Sequence, residues 1–360
     1  MGVSLSGRLP PFVAASFAAP TGDAGLLSHA PPVVTLDEAA GIAARVFGVR
    51  GTLRALTSER DTNFHLRLEG GQQALLKITN AAEDRAVTEM QTMALTHLAS
   101  VAPDLSVQRV CATLDGAPWQ VVALAGQNHV VRLLTWLDGT MLHAAMPGPG
   151  LHRGIGATLA GLTKGLRGFF HPAAGHALQW DIKQAGRLRA MLDAVEDEGL
   201  RARLAAHLDD FDARIAPRLP HLRAQVVHND FNPHNLVVDA AGAHVTGVID
   251  FGDMVHTPLV CDLAVACSYH ITEGPAPLAR VAELVAGYAG VLPLEDEELA
   301  LLPDLIRLRH ITTLAITAWR ARRYPDNAAY ILRNAPASHR GLAVIDRMGA
   351  AECTRLLAGE

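Results

Sequence analysis

VVHNDFNPHNLVVD, residues 226–239, sets His228, Asp230, His234 and Asn235 between short runs of valine and leucine. Further on, Asp250 closes a second apolar run in VTGVIDFGD, residues 245–253. Three readings fit such polar groups: a catalytic site, a metal cage, or a turn between two strands. Pro233 has a fixed backbone angle and restricts Asn232, which makes a rigid loop. A carboxylate held there, Asp230, can orient a hydroxyl and receive its proton. Asn235 offers a carbonyl oxygen to a metal and an amide donor to a neighbour. Asp239-Ala240-Ala241-Gly242 suits a turn, so a hairpin can bring Asn235 and Asp250 to one end. One base carboxylate, one asparagine and one aspartate suit phosphoryl transfer, where the acceptor must be oriented and Mg²⁺ must neutralise phosphate charge. The plain structural alternative is a polar turn held by Asx hydrogen bonds.

Upstream, the pattern alternates with a period of two. LRAL (53–56), NFHLRLE (63–69) and QALLKIT (73–79) read as successive antiparallel strands, with Gly70-Gly71 marking a hairpin. Residues 34–47 read as a short helix capped by Thr35 or Asp37, and 81–100 as a longer one with an acidic start. Strand-like segments follow at 107–113, 119–125 and 129–137. Lys77 ends an apolar strand and needs a partner or a phosphate; an outward-facing lysine is the alternative. Glu89, on the predicted helix, is placed to pair with it, or else sits on a solvated face.

Downstream of about residue 150 the pattern is mainly helical, at 151–169, 179–197, 200–219 and most of 278–358, broken by short strands that carry the polar motifs. The expected architecture is α+β and bilobal. Residues 1–34 form an irregular extension, 35–137 a small antiparallel-sheet lobe with the hinge, and 138–360 a helical lobe. A ligand belongs between such lobes.

The 360 residues are 49 % apolar and 19 % charged, with a formal net charge of −5, so a nucleic-acid partner has no global electrostatic support. No run is long and apolar enough for a membrane span. Cys111, Cys261, Cys267 and Cys353 form no CxxC pair and read as reduced thiols. The start, MGVSLSGRLPPFVAASFAAP, is only faintly like a targeting segment and reads as a flexible extension, which points to the cytoplasm. The dinucleotide and P-loop glycine fingerprints are absent. Oligomeric state leaves no mark in the sequence.

HNDFNPHN (228–235) and IDFGD (249–253) resemble the catalytic and metal motifs of the aminoglycoside phosphotransferase and choline kinase superfamily, whose fold is similar to that of protein kinases. SERDTNFHL, LLKI and VRLLTWLDG look most like the hydroxylysine kinase branch and its bacterial relatives, and the resemblance covers roughly residues 35–345. It implies a catalytic Asp230, Asn235 and Asp250 on Mg²⁺, Lys77 on the donor phosphates with Glu89 behind it, His228 bracing the loop, and Asp253 near metal or substrate. The phosphate-covering loop, residues 56–66, has no glycine, as in the hydroxylysine kinase branch, and offers Ser58, Thr62 and Asn63 instead.

The backbone near Leu134–Trp136 is expected to meet a purine edge, with Trp136 shaping the cleft or packing in the core. Hydroxylysine kinases use GTP, so the implied donor is GTP or ATP. The implied acceptor is a small hydroxyl-bearing amine or amino acid, with 5-hydroxylysine first. The alternatives are homoserine, choline, ethanolamine, methylthioribose or an aminoglycoside, and beyond these a non-catalytic pseudokinase. An acidic, aromatic wall suits a cationic acceptor, and Asp253, Asp262, Tyr269, Trp319 and Tyr324 are candidates for it. Arg307, Arg309, Arg320 and Arg322 are candidates for an acceptor carboxylate.

Overall fold

The computed structural model describes residues 30–58 and 60–359. The expectations for the first 29 residues, including the targeting reading, lie outside the described residues.

Helix α1 (Leu36–Phe47) opens with a capping box in which the Thr35 hydroxyl accepts from the Glu38 amide and Glu38 reaches back to Thr35. Of the two candidate caps, Thr35 is therefore the one used, and Asp37 lies inside the first turn. Strands β1 (Gly51–Leu56), β2 (Thr62–Leu68) and β3 (Gln73–Ile78) follow, then helix α2 (Arg85–Val101), capped by Asp84. Strands β4 (Val110–Cys111), β5 (Gln120–Leu124) and β6 (Gln127–Thr135) complete an antiparallel sheet in the order β1-β2-β3-β6-β4, with β5 also on β6.

The two faces of this sheet part by the period-two rule. Phe64, Leu66, Leu76, Ile78, Val131 and Leu133 are buried with Ile42, Val46 and Phe47 of α1, and this is the core of the small lobe. The other face carries polar residues in one row: Asn63 lies opposite Lys77, and Lys77 opposite Arg132. The strand expected over 107–113 shrinks to two residues. Val107 bridges instead to Val248 of the large lobe, and Arg109 turns to donate to the carbonyls of Ala102, Pro103 and Leu105.

The large lobe contains β7 (Thr140–Met141), α3 (Leu151–Gly165), α4 (Glu198–Asp210), β8 (Ala224–Val227), β9 (Leu236–Val238), β10 (Val245–Val248) and β11 (Val255–Pro258). Helices α5 (Leu259–Ser268), α6 (Ala279–Ala289), α7 (Asp296–Arg323), α8 (Ala335–Met348) and α9 (Ala350–Ala358) close it. The second and larger core centres on α3, α5, α6 and α7. Over 179–197, where an α-helix is expected, the chain forms a long 3₁₀ segment, Ile182–Ala194. Five of its six buried residues, Ile182, Ala185, Leu188, Met191 and Ala194, recur every three positions, the period of a 3₁₀ helix; Leu192 is the sixth. No helix among the described residues is long and apolar enough to cross a membrane.

Candidate active site

A cavity of about 850 Å³ lies between the lobes, and the 226–239 stretch forms part of its floor. β8 pairs with β11 and β9 with β10, so two short antiparallel pairs hold the catalytic loop and the Asp250 turn side by side. The Ile249 amide donates to the Asn235 carbonyl at 2.9 Å, bringing the two predicted metal residues to one end of the hairpin.

The loop is anchored from below. His228 is fully buried; its Nδ1 accepts from the Asp230 amide at 3.3 Å, so its Nε2 carries the proton and donates to the Ile249 carbonyl at 3.1 Å. The ring packs on Phe251 and Phe231. Burial lowers its pKa, in keeping with a neutral imidazole that braces the loop. Asn229 sits in the left-handed region at φ 62°, and its amide donates to Asp262 Oδ1 at 2.8 Å. Burial pushes the Asp262 carboxyl up to about 7. Asp262 thus holds the catalytic loop to α5 and lies outside the cavity lining, which excludes it from the acceptor wall.

Asp230 lines the cavity. Oδ1 accepts from Asn232 Nδ2 at 2.7 Å and Oδ2 from Asn235 Nδ2 at 2.7 Å, while Arg309 Nη2 stands 3.4 Å from Oδ1. Burial, helped by the charge of Asp253, raises its pKa to about 7 against the opposing effect of Arg309. A carboxylate poised there is suited to accept a proton. Because Asn235 points its amide at Asp230, its Oδ1 receives no hydrogen bond among the described residues. Asp250 adopts φ 59°, an uncommon backbone state for a non-glycine residue and one that clusters at functional sites. The charge of Lys77 holds its carboxyl down at about 2. Gly252 lies beneath it: a Cβ there would come within 3.0 Å of Asp250 Oδ1 and 3.4 Å of Arg60.

Oxygen donors of this kind fit Mg²⁺. Asn235 Oδ1 and the Asp250 carboxylate are hard ligands on adjoining turns. Asp253 instead forms an ion pair with Arg60 across the cleft. Among the described residues no group of three or more His, Cys, Asp or Glu side chains gathers into a metal cage, so the candidate set is a mixed asparagine–aspartate one.

Lys77 corrects one expectation. Its ammonium pairs with Asp61 Oδ2 at 3.0 Å and Asp250 Oδ1 at 3.5 Å, and Glu89 is not its partner. Two residues along a helix turn through about 200°, so Gln91, and not Glu89, meets the cavity from α2. Gln91 accepts from Arg132 at 3.2 Å and donates to the Gly252 carbonyl at 3.0 Å. Asp61 is fixed in turn by the Asn80 amide at 3.0 Å.

Other expected residues divide between wall and elsewhere. Ser58 and Asn63 line the cavity, and Asn63 Oδ1 is buried without a partner. Thr62, one position off in the β2 alternation, faces away and donates to the Pro32 carbonyl. Leu134 and Trp136 line the cavity, with Trp136 against His65 at 4.0 Å. Of the backbone expected to meet a purine, the Thr135 amide donates to the Arg109 carbonyl and the Trp136 amide to the Gln73 carbonyl at 3.4 Å. Tyr269 lines the cavity with its hydroxyl 3.5 Å from Arg309. Trp319 and Tyr324 do not line it; Trp319 packs on the core and stacks with Arg323. Trp180 also lines the cavity, under Arg309 at 5.1 Å. Of the four candidate arginines, Arg309 and Arg320 line the cavity, whereas Arg307 pairs with Asp304 and Asp346, and Arg322 donates to the Asp193 carbonyl.

Asp61, Arg60, Arg132, Gln91, Trp180 and Arg333 are wall residues that the sequence reading missed. Arg132 carries the signal that singled out Lys77, a charge inside an otherwise apolar strand. The partnering of Lys77 by Asp61 follows only from the β2–β3 register.

Residues 52–294 match the model of a family described as "Phosphotransferase enzyme family". The chain is 27 % identical to hydroxylysine kinase of Danio rerio, covering 90 % of this chain and 95 % of the relative. It is 30 % identical to homoserine kinase of Methylobacillus flagellatus over 56 % of each chain. A solved microcompartment-associated aminopropanol kinase superposes with a TM-score of 0.63 at 20 % identity, covering 89 % of this chain and all of that one, a likeness of fold.

Proposed function

We propose that this chain, which belongs to the phosphotransferase enzyme family, transfers the terminal phosphate of GTP or ATP to a hydroxyl of a small amino acid or amino alcohol, with 5-hydroxylysine the first candidate. The observation that carries the reading is the arrangement around Asp230. A carboxylate held by two asparagine amides faces Asp250 and Lys77 across one cavity between the lobes.

In this reading the acceptor hydroxyl approaches Asp230, its oxygen bonds to the terminal phosphorus, and the bond to the bridging oxygen of the nucleoside diphosphate breaks. The hydroxyl proton passes to the Asp230 carboxylate, and the electron pair of the broken bond leaves with the diphosphate. Lys77, aligned by Asp61, meets the donor phosphates, and Asn63 and Arg132 flank it on the neighbouring strands. Asn235 and Asp250 are the residues to hold Mg²⁺, which when bound neutralises charge on the donor phosphates. His228, Asn232 and Asp262 keep the loop in place. The base of the donor lies against Leu134 and Trp136.

Homoserine is the second reading, favoured by the likeness to homoserine kinase. Choline, ethanolamine, methylthioribose and aminoglycosides are the remaining acceptors to compare. The test is transfer by the purified protein with Mg²⁺, using GTP and ATP separately, against 5-hydroxylysine, homoserine, choline, ethanolamine and one aminoglycoside. Efficient phosphorylation of 5-hydroxylysine is expected. Efficient transfer to another member of the panel keeps the chemistry and moves the acceptor. Nucleotide binding without transfer to any of them points to an acceptor outside the panel or to a pseudokinase.

A further inference from the structure

Two buried glutamines join strand β6 to the turn that carries Asp250. Gln91 of α2 accepts from Arg132 Nη1 at 3.2 Å and donates to the Gly252 carbonyl at 3.0 Å. Gln108 accepts from the Asp250 amide at 3.4 Å and donates to the Thr135 carbonyl at 3.4 Å. Arg132 and Thr135 both belong to β6, and Asp250 and Gly252 both lie in the turn after β10. Each side chain therefore spans the same gap, with one end on the sheet and the other on the turn. Both are buried and both line the cavity.

The partners dictate the chemistry of these two positions. A guanidinium group and a backbone N–H only donate, and a carbonyl only accepts. Each position thus needs an acceptor on one side and a donor on the other. A carboxamide supplies both, and a carboxylate does not. Glutamate in place of Gln91 would keep Arg132 but would set a carboxylate against the Gly252 carbonyl.

The turn needs such support. Asp250 stands at φ 59°, a backbone state that persists where the surroundings hold it. From the large lobe, the Ile249 amide donates to the Asn235 carbonyl at 2.9 Å, and the Gly252 amide donates to Asp250 Oδ1 at 3.2 Å. These bonds shape the turn and tie it to the catalytic hairpin, but they do not set its distance from the sheet. The two glutamines do. The strand they hang from is the one that matters for a nucleotide. Arg132 lies opposite Lys77 on it, and Leu134 lies near its end.

We propose that Gln91 and Gln108 are positioning residues that hold the Asp250 turn at a fixed distance from β6, so that the Asp250 carboxylate is presented to Mg²⁺ while the donor lies along the strand. This inference rests on the phosphotransferase reading, with Asp250 as a Mg²⁺ residue, and adds the groups that align that carboxylate.

The test measures binding of a non-hydrolysable GTP or ATP analogue to the full chain with and without Mg²⁺, which needs no acceptor. The quantity read is the factor by which Mg²⁺ tightens binding, compared among the parent, Q91M, Q108M, D250N and the double variant Q91M/D250N. Methionine keeps the length of the side chain and removes both hydrogen bonds. Q91M is expected to lower the factor about tenfold or more, the scale for a group that orients a metal ligand. Q108M is expected to lower it less, because its two contacts are longer. Affinity without Mg²⁺ is expected to stay close to the parent's in both. Added to D250N, Q91M is expected to lower the factor no further, because its effect runs through the Asp250 carboxylate. Tm reports any loss of packing separately, and Q91A or Q108A replaces a methionine variant that does not fold. A folded Q91M protein that keeps the parent's factor, whatever its Tm, overturns the proposal and leaves the kinase reading standing. A further fall of the factor in Q91M/D250N overturns it as well. If Mg²⁺ does not tighten nucleotide binding by the parent, the metal assignment of Asp250 fails and the proposal falls with it.

Discussion

The two ends of the cavity handle charge in opposite ways. On the donor side, cations and carboxylates come in pairs: Lys77 with Asp61 and Asp250, and Arg60 with Asp253. At the other end, Arg309 lies over the Trp180 ring, stands 3.4 Å from Asp230, and keeps its Nε buried without a partner. Paired charges fix one another's geometry, which suits a wall that must hold phosphates in one alignment at each turnover. A buried donor left unmet, such as Arg309 Nε, suits an end where a ligand still has to arrive.

Breaking the donor-side pairs should then cost rate, in proportion to how directly each group meets the phosphates. D250N is expected to give the largest loss in this set, a fall of about 10²–10³ in kcat, with a raised Mg²⁺ requirement; it is checked by initial rates across a Mg²⁺ titration. D61N leaves Lys77 in place but misaligned, and about a 10-fold to 100-fold fall in kcat/KM is expected, with little change in the KM for the acceptor. D262N replaces one carboxylate oxygen that faces the catalytic loop with an amide donor. It is expected to destabilise by about 1–3 kcal/mol, seen as a lowered Tm, and to lower kcat as the loop loosens. At the bottom of the scale, E89Q should leave nucleotide KM and kcat unchanged and shift stability by no more than about 0.5 kcal/mol. A large E89Q effect on nucleotide KM would restore the helix carboxylate as the partner of Lys77 and blur the contrast between the two ends.

The same contrast explains what could be read from the sequence. The bilobal α+β fold follows from the switch between period-two and helical patterns, and the chain's kinase-like relatives share it. The catalytic loop and the Asp250 turn are contiguous stretches whose polar residues stand out against valine and leucine, and their neighbours in space are mostly neighbours in sequence. The lysine partner was misread because two carboxylates lay within reach, and only the strand register and the helix phase decide between Asp61 and Glu89. Thr62 was misread for the same reason, one step out of phase on β2. The cavity wall proposed for the acceptor draws on Trp180, α7 and the segment around Tyr330, which are far apart in the chain. Its residues are ordinary helix-surface types until packing aims them inward. Trp319 and Arg309 lie on one helix, and only the phase of α7 against the cavity sends one to the core and the other to the site.

The most direct test of the account is the D230N enzyme, assayed for phosphate transfer to the best acceptor alongside measurement of nucleotide affinity and Tm. Asparagine keeps the size of the side chain and removes its capacity to take a proton. The account predicts a fall in kcat of roughly 10²–10⁴, with nucleotide affinity and Tm close to those of the parent. Ordinary turnover by D230N would contradict the assignment of Asp230 and the mechanism built on it.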